Sequence, residues 1–296
     1  MSDMQQLLLI VNPAAGTKKA GKHLSEIISI FNRGDFDTRV YITNGKSDAT
    51  NAVKQFGAAA DLIVSCGGDG TLNETISGLI EAELNIPLGY IPAGSTNDFA
   101  NTLKLSNDVI GAAKQIVEGA ITEYDVGKFG DRFFSYVASF GAFTRASYSA
   151  PTNIKNTLGH VAYILEGIQE LSSIRAEHVR VEIDGETLED DYLFGAVCNS
   201  TSLGGILTLN PDIVDMSDGL FELLLVRAPK DVTELSECIV ALKNQTYNCR
   251  MITFRSASKA KFFTKEGLAW SLDGEKAESS SEVLIENLHK RIRLVR

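Results

Sequence analysis

The first 123 residues alternate short apolar runs with stretches of helical periodicity. The apolar runs, which are typical of buried strands, lie at residues 7–11, 39–43, 62–65 and 86–91. Between them, apolar residues recur at positions i, i+3, i+4 and i+7, as in Leu24, Ile27, Ile28 and Phe31. A further helix is predicted over 109–117, with Ser106 as its N-cap and Gly119 just past its end. This alternation predicts an α/β domain in which helices cover both faces of a parallel sheet.

From about residue 124 the pattern changes to short strands with period-two alternation. Val179, Val181 and Ile183 alternate with polar residues, and Asp184-Gly185 is a strong hairpin signal. Two helices are predicted in this half, near 157–172 and 232–243. We therefore predict two domains: an α/β domain over 1–123 and a β-rich antiparallel sandwich or barrel over 124–287.

The charge balance narrows the possible partners. The 296 residues include 28 Lys and Arg against 38 Asp and Glu, a net charge of −10. A general nucleic-acid binder needs a basic face that displaces counterions, so we expect no nucleic-acid partner. The four cysteines lack the spacing of a zinc site. No apolar run approaches the ~20 residues of a membrane-spanning helix, and we expect no signal peptide because residues 1–13 lack the basic and apolar segments of one. We expect a soluble cytoplasmic protein without a transmembrane segment.

The most informative motif is CGGDGTLNE (66–74), between a predicted strand and a predicted helix. Gly67, Gly68 and Gly70 permit unusual backbone angles and let N–H groups approach an anion. The helix that follows would point its positive end at a phosphate, and Asp69 could orient a phosphate-bound Mg²⁺. A capping box between Thr71 and Glu74 is the ordinary alternative, although it does not require three glycines and an aspartate.

Two further loops follow predicted strands of the same sheet. In NPAAG (12–16), Pro13 directs the chain and Gly16 permits close approach, although a plain turn is the better explanation of this loop when it is taken alone. In IPAGSTNDFA (91–100), Asn97 and Asp98 could contact a ribose or a metal ion, or could cap the next helix. Ligands bind beyond the carboxyl ends of parallel strands, so the three loops should form one site.

The second half holds two acidic segments. NPDIVDMSDGLFELLLV (210–226) places Asp212, Asp215 and Asp218 before a strand, which suits Mg²⁺ or Ca²⁺ but also suits a solvated turn. In SLDGE (271–275), Asp273-Gly274 predicts a hairpin, with Glu275 directly after it.

These motifs, in this order over nearly the whole chain, resemble the diacylglycerol kinase catalytic-domain family, which is related to sphingosine kinases and shares a GGDG loop with NAD kinases. The resemblance implies ATP-dependent phosphorylation of a lipid hydroxyl, either of diacylglycerol to give phosphatidic acid or of a related lipid, at a membrane surface. An NAD kinase-like activity and a non-catalytic nucleotide-binding module are the alternatives. The last strand, about 288–296, is expected to return to the first domain.

The resemblance also implies a role for individual residues. The family's nucleotide-binding positions match Asn12, Pro13, Gly16, Thr43, Gly67, Gly68, Asp69, Gly70, Thr71, Asn73 and Ser95. Glu275 matches the proposed general base, and Asp69 the aspartate that organises the metal and the phosphates. Asp215, Asp218 and the Leu220 carbonyl match a structural Mg²⁺ site. Some relatives carry basic residues at the positions of Glu166 and Asn101, so the resemblance does not identify which lipid is phosphorylated. It also leaves open whether the chain forms a homodimer.

Membrane contact is expected to be peripheral, because the predicted substrate is a lipid and no segment can span a bilayer. The candidate patch is the region 143–176, where apolar residues lie among basic ones. Its members are Phe143, Tyr148, Ile154, Leu158, Tyr163, Arg145, Lys155 and Arg175.

Overall fold

The computed structural model describes residues 4–16, 19–141, 175–203, 207–265 and 268–296. The chain forms two compact units, of which the first contains Met1–Tyr124 and Lys290–Arg296 and the second Asp125–His289. Over the described ranges, no helix is both long enough and apolar enough to cross a bilayer. The predicted helix near 157–172, Glu166, and the proposed membrane patch except Arg175 lie outside the described residues.

The first unit alternates strands and helices. Its strands are β1 (Gln5–Val11), β2 (Phe36–Ile42), β3 (Leu62–Gly67) and β4 (Leu88–Pro92). Its helices are α1 (Lys19–Lys22), α2 (Leu24–Arg33), α3 (Asp48–Phe56), α4 (Asp69–Glu81), α5 (Asp98–Thr102) and α6 (Val109–Glu118), with a 3₁₀ turn at Gly57–Ala59.

The strands of the first unit form a parallel sheet in the order β2-β1-β3-β4. Leu7 and Leu9 of β1 pack with α2 and α6, whereas the hydroxyl of Thr75 on α4 donates to Ser65 of β3, 3.2 Å away. Ser65 pairs with Ile10, which alternates with Leu9 and so lies on the opposite face of the sheet. Helices therefore cover both faces, and the α/β prediction is confirmed.

The second unit contains most of the remaining elements; β5 begins in the first unit and β17 ends there. Its strands are β5 (Ile121–Phe129), β6 (Arg132–Phe134), β7 (Val137–Gly141), β8 (Glu177–Ile183), β9 (Glu186–Cys198), β10 (Ser202–Leu203), β11 (Leu207–Thr208), β12 (Phe221–Arg227), β13 (Ile252–Ala257), β14 (Lys259–Phe263), β15 (Ala269–Leu272), β16 (Glu275–Glu278) and β17 (Glu282–Val295). One helix, α7 (Val232–Lys243), and a 3₁₀ turn at Pro211–Ile213 complete it.

Within the second unit, the strands pair antiparallel around an aromatic core, which confirms the β-rich prediction. Trp270 is fully buried, and its ring meets those of Phe129, Phe140 and Phe262 edge to face at 5.0, 4.9 and 5.2 Å. The last strand, β17, continues into the first unit, where Leu294 pairs in parallel with Leu88 of β4.

One predicted helix cap was wrong. The cap of α6 is Asp108, whose carboxylate accepts the backbone N–H of Gly111 at 2.7 Å, and not Ser106. The hydroxyl of Ser106 instead accepts the N–H of Asp108 at 3.3 Å. A carboxylate at the helix start binds the free amides more strongly than a hydroxyl two residues earlier can.

Candidate functional site

Three loops of the first unit, after β1, β3 and β4, meet with their backbones in contact. A Cβ on Gly94 would lie 2.6 Å from the Cα of Gly68, and a Cβ on Gly16 would clash with the Ala93 carbonyl oxygen. Gly16 also has a φ of +50°, which favours glycine. Only glycine fits at these contacts, so the glycines hold the three loops at one edge of the sheet.

The loop after β3 leads directly into α4. Gly67 ends the strand, and a Cβ there would lie 2.5 Å from the hydroxyl of Thr71 in the first turn of the helix. Gly68 is the N-cap of α4 and has no side chain that could cap this end. The N-cap residue therefore does not compete with a ligand for the first amide N–H groups of this 13-residue helix, and a helix start of this kind suits the binding of phosphate groups.

Asparagine side chains tie these loops together. The amide of Asn12 donates to the Thr71 hydroxyl at 3.0 Å, and its oxygen accepts the N–H of Ala14. In the third loop, Asn97 adopts left-handed angles and its oxygen accepts the N–H of Gly94 at 3.0 Å. Asn12 therefore holds the loop after β1 against α4, and Asn97 holds the conformation of the loop after β4.

Two acidic residues, Asp69 and Asp98, come together in this site. The backbone N–H of Asp98 donates to the Asp69 carboxylate at 3.2 Å. Burial, and then the charges of Asp69, Cys66 and Asp98, raise the pKa of Tyr90 well above its ordinary value. Tyr90 thus stays neutral beside a concentration of negative charge, and oxygen ligands of this kind suit Mg²⁺.

Glu74 does not form the capping box that was the alternative for this motif. Its carboxylate accepts the N–H groups of Ser47 at 2.7 Å and Ala49 at 3.2 Å, so it caps α3 across 25 or more residues. It thereby holds the loop between Thr43 and α3. Thr43 itself is fixed to β1, because its backbone N–H donates to the Val11 carbonyl at 2.9 Å. Sequence reasoning missed this contact, because a glutamate three residues after a threonine signals a local cap.

The remaining predicted nucleotide residues also lie in these segments of the first unit. Pro13 is exposed in the loop after β1, Gly70 and Asn73 lie on α4, and Ser95 lies in the loop between β4 and α5.

In the second unit, Asp273 occupies the turn between β15 and β16. Its carboxylate is buried and accepts three consecutive backbone N–H groups, those of Ser135 at 2.5 Å and of Tyr136 and Val137 at 3.0 Å each. Asp273 and Gly274 have φ angles of +50° and +84°, as a tight hairpin requires. The sequence indicated the turn but not its role as an anchor for residues 135–137.

Glu275 follows this turn at the start of β16 and stays accessible. Its side chain is 43% exposed, and a carboxylate oxygen lies 3.7 Å from the Arg132 guanidinium. A second guanidinium nitrogen of Arg132 donates to the Lys276 carbonyl at 3.1 Å. An anchored turn with an accessible carboxylate beside it suits a group that exchanges a proton with a substrate.

The loop before β12 is braced by polar contacts within the second unit. Asp215 accepts the N–H and hydroxyl of Ser217, and Asp218 accepts the N–H of Leu220 at 2.8 Å. The buried Asp125 carboxylate accepts the N–H of Gly219 at 2.7 Å. Over the described residues, no group of three or more His, Cys, Asp or Glu side chains is arranged to hold a metal. The predicted Mg²⁺ ligands in this loop are two carboxylates, of Asp215 and Asp218, and the carbonyl of Leu220.

Glu222, two residues after this loop, is a buried carboxyl that the sequence analysis did not single out. Burial, and then the nearby charges of Asp218 and Asp215, raise its pKa to about 8 against its ordinary 4.5, although its own backbone N–H lowers it. Its Oε2 atom has no hydrogen-bond partner among the described residues. This buried oxygen beside two aspartates fits a cation in the loop, since a cation would offset their charges.

Comparisons with known proteins cover almost the whole chain. The family model of the diacylglycerol kinase catalytic domain matches residues 6–129, and that of the YegS C-terminal NAD kinase beta sandwich-like domain matches residues 137–291.

Individual relatives agree with these matches. The diacylglycerol kinase of Bacillus subtilis (strain 168) is 32% identical over 274 residues, 92% of this chain and 90% of that protein. That of Staphylococcus aureus (strain MRSA252) is 30% identical over 269 residues, 90% of this chain and 85% of that protein. A crystal structure of a diacylglycerol kinase from Bacillus anthracis strain Sterne superposes with a TM-score of 0.76 at 25% identity, covering 100% of this chain and 98% of that one.

The Asp273 anchor predicts a specific loss of stability. Asp273→Asn keeps a residue that tolerates left-handed angles but removes the charged acceptor of three amides. We expect the free energy of unfolding of the second unit to fall by about 1.5–3 kcal/mol, as for hydrogen bonds to a charged group. Urea unfolding followed by the fluorescence of Trp270 measures this. The control is Asp184→Asn in the exposed β8–β9 hairpin, where φ is +49°; an equal loss in both variants would contradict the anchor.

The raised pKa of Glu222 predicts a pH-dependent stability. Without metal, the native state keeps this proton up to about pH 8, whereas the unfolded chain releases it near pH 4.5. Between these values the native state binds more protons, so stability falls as pH rises, by on the order of 1 kcal/mol per pH unit. Glu222→Gln should remove this slope. Denaturation in EDTA from pH 5 to 8 checks it, and parallel profiles for the two proteins would show the expectation to be wrong.

Proposed function

Because the chain belongs to the diacylglycerol kinase family, we propose that it transfers the γ-phosphoryl group of ATP to a lipid hydroxyl, with diacylglycerol as acceptor and phosphatidic acid as product. The observation that carries the proposal is the meeting of three glycine loops beside the start of α4. Such a site offers backbone N–H groups to phosphates. The family match supplies the class of reaction, and the names of the relatives supply the acceptor.

Nucleotide binding is assigned to the first unit. In this proposal, the N–H groups around Gly68 and Gly70 bind phosphate oxygens, and the positive end of α4 adds a favourable field. Asn73 on α4, Ser95 and Asn97 in the loop after β4, and Thr43 just after β2 complete the proposed nucleotide site. The amide of Asn12 is committed to Thr71, so it would act by holding the Gly67–Gly70 segment in place.

Asp69 and Asp98 are the oxygen ligands that suit a Mg²⁺ ion carried by the nucleotide. When bound, that ion would neutralise charge on the transferring phosphoryl group. The protein's own contribution is to hold the Asp69 carboxylate at a fixed place without reorganisation, since the backbone N–H of Asp98 donates to it.

Glu275 is the proposed general base. It would accept the proton of the lipid hydroxyl as the hydroxyl oxygen bonds to the γ-phosphorus and the bond from that phosphorus to ADP breaks. The Asp273 turn sets the position of Glu275, and Arg132 beside it limits the directions that the carboxylate can take. A positioned base of this kind is typically worth 10²–10⁴ in rate.

Two further parts of the proposal concern metal and membrane. Asp215, Asp218 and the Leu220 carbonyl would hold a structural Mg²⁺, for which oxygen atoms are the preferred ligands. Contact with the lipid is proposed to be peripheral, on the cytoplasmic side where ATP is supplied, and to involve the region 143–176. The net charge of −10 repels anionic membranes, so a local patch with basic residues is needed.

The direct test is a transfer assay with γ-³²P-labelled ATP and Mg²⁺. The acceptors are mixed micelles that contain diacylglycerol, a lipid extract, and NAD⁺ in solution, with products separated by chromatography. Label in phosphatidic acid supports the proposal, and label in another lipid corrects the acceptor. Label in NADP⁺ favours the NAD kinase-like alternative. ATP binding without transfer to any acceptor indicates a regulatory module.

Replacement of Asp69 by Asn should lower turnover at least about 100-fold, because the amide can still accept the Asp98 N–H but carries no charge for the metal. Steady-state kcat with saturating ATP and lipid measures the effect. Asp37→Asn, an exposed carboxylate on β2, is the matched control and should retain full turnover. Normal kcat in the Asp69 variant would remove Asp69 from the reaction.

Replacement of Glu275 by Gln should lower kcat by 10²- to 10⁴-fold, because the amide cannot accept a proton. ATP affinity, measured by calorimetry, should stay unchanged. Glu278→Gln on the same strand provides the control, since that side chain is exposed and pairs with Lys276. If both variants turn over like the wild type, the base lies elsewhere.

A further inference from the structure

The second unit contains a group of buried oxygen atoms that lack donors. They are Oε2 of Glu222, Oδ1 of Asn199 and Oδ1 of Asn287, and none has a hydrogen-bond partner among the described residues. Glu222 and Asn199 are only 2% and 1% exposed. A buried acceptor without a donor costs free energy, so three of them in one region require an explanation.

Each of the three residues is connected to the loop 215–220, either by a hydrogen bond, through Asp125, or along the chain. Asn287 donates its side-chain N–H to the Leu220 carbonyl at 2.7 Å, whereas its own side-chain oxygen has no donor among the described residues. Asn199 donates its N–H to the Asp125 carbonyl at 2.8 Å, and the Asp125 carboxylate in turn accepts the Gly219 N–H. Glu222 pairs with Cys198, the residue before Asn199, in the β9–β12 ladder. Both amides thus donate a hydrogen bond to the backbone that frames the loop.

The two amide oxygens are acceptors, and so are both oxygens of Glu222 once its carboxyl is ionised. Asp215 and Asp218 lie close enough to Glu222 for their charges to act on it. A neutral water could donate two hydrogen bonds, but it would leave the negative charge of the aspartates uncompensated. A hydrated cation supplies both requirements, because it carries positive charge and its bound waters donate strongly. Mg²⁺ in particular keeps several of its waters when it binds to proteins.

We propose that Glu222, Asn199 and Asn287 form the inner wall of a cation site in the 215–220 loop, where their oxygens accept hydrogen bonds from waters bound to Mg²⁺. The inference rests on the structural Mg²⁺ site proposed above. It adds an outer layer, a second set of residues that contact the ion only through its waters: Glu222 on β12, Asn199 at the end of β9 and Asn287 on β17. These residues act as positioning residues for the hydrated ion and do not contact the reacting groups. Outer-layer partners of a metal typically change its affinity by 10- to 100-fold.

The test is Mg²⁺-dependent stability of the full chain, which does not require activity. Melting temperature is measured in EDTA and along a MgCl₂ series for the wild type, Glu222→Gln and Asp218→Ala, and Mg²⁺ affinity is measured by calorimetry. A ligand that binds only the native state stabilises it by RT ln(1 + c/Kd), where c is the free ligand concentration, so the melting temperature rises as the free Mg²⁺ concentration exceeds the Kd. Glu189→Gln, an exposed carboxylate on β9, is the matched control.

We expect Mg²⁺ to raise the melting temperature of the wild type and the control equally, and Glu222→Gln to need about 10-fold more Mg²⁺ for the same rise. Asn287→Ala, at a less buried position, should behave like Glu222→Gln and serves if the latter does not fold. A purely structural role would shift the melting temperature by the same amount in EDTA and in Mg²⁺, and that result overturns the inference.

The outcome separates this inference from the kinase proposal. Insensitivity of the wild type to both EDTA and Mg²⁺ overturns the cation site, its outer layer included, and leaves phosphoryl transfer to be judged by the labelling assay. Absence of transfer together with a Mg²⁺ response that Glu222→Gln weakens overturns the kinase proposal and supports the inference.

Discussion

The candidate nucleotide site depends on backbone contacts that leave no room for a side chain. Gly68 lies against Gly94, and Gly16 lies against the Ala93 carbonyl, at distances where a single methyl group would force the loops apart. The amides that face the site belong to these same loops. A shift of about 1 Å in such groups can cost 10²-fold in rate. The glycines therefore matter first for the distance between the loops and only second for their flexibility.

Polar side chains then keep the glycine loops from moving. Asn12 bonds Thr71 across 59 residues, and Glu74 caps α3 across 25 and 27 residues. The first contact joins a loop to α4 and the second joins α4 to the start of α3, so each has a helix as a rigid partner. Flexible glycine segments thus acquire a fixed geometry from neighbours that are themselves packed on the sheet, as a site for preorganised binding of phosphate requires.

The second unit uses buried carboxylates in two opposite ways. Asp273 is satisfied by three amide N–H groups, so its charge stabilises the turn that carries Glu275. Glu222 is equally buried but has an oxygen without a donor and two aspartates nearby, so its charge is costly in the bare protein. The first arrangement is complete within the chain. The second becomes favourable only when positive charge is brought to the loop.

The sequence by itself determined the elements and the class of the fold. Apolar runs and helical stripes predicted the four parallel strands, and the Asp184-Gly185 and Asp273-Gly274 pairs predicted two hairpins, because period and turn chemistry are local properties of the chain. The glycines of the three loops were also recognisable, since their role depends on backbone freedom that no other residue has.

Tertiary structure alone decided which partner each polar side chain takes. The sequence predicted Ser106 as the cap of α6, and the geometry of the helix start selected Asp108 instead. Glu74 had a local partner available in Thr71, yet it binds amides on another helix. A single charge within the apolar run FELLLV did not reveal that Glu222 faces two aspartates. Hydrogen bonds and charges act over a few ångströms in space, and sequence separation does not determine which groups come within that distance.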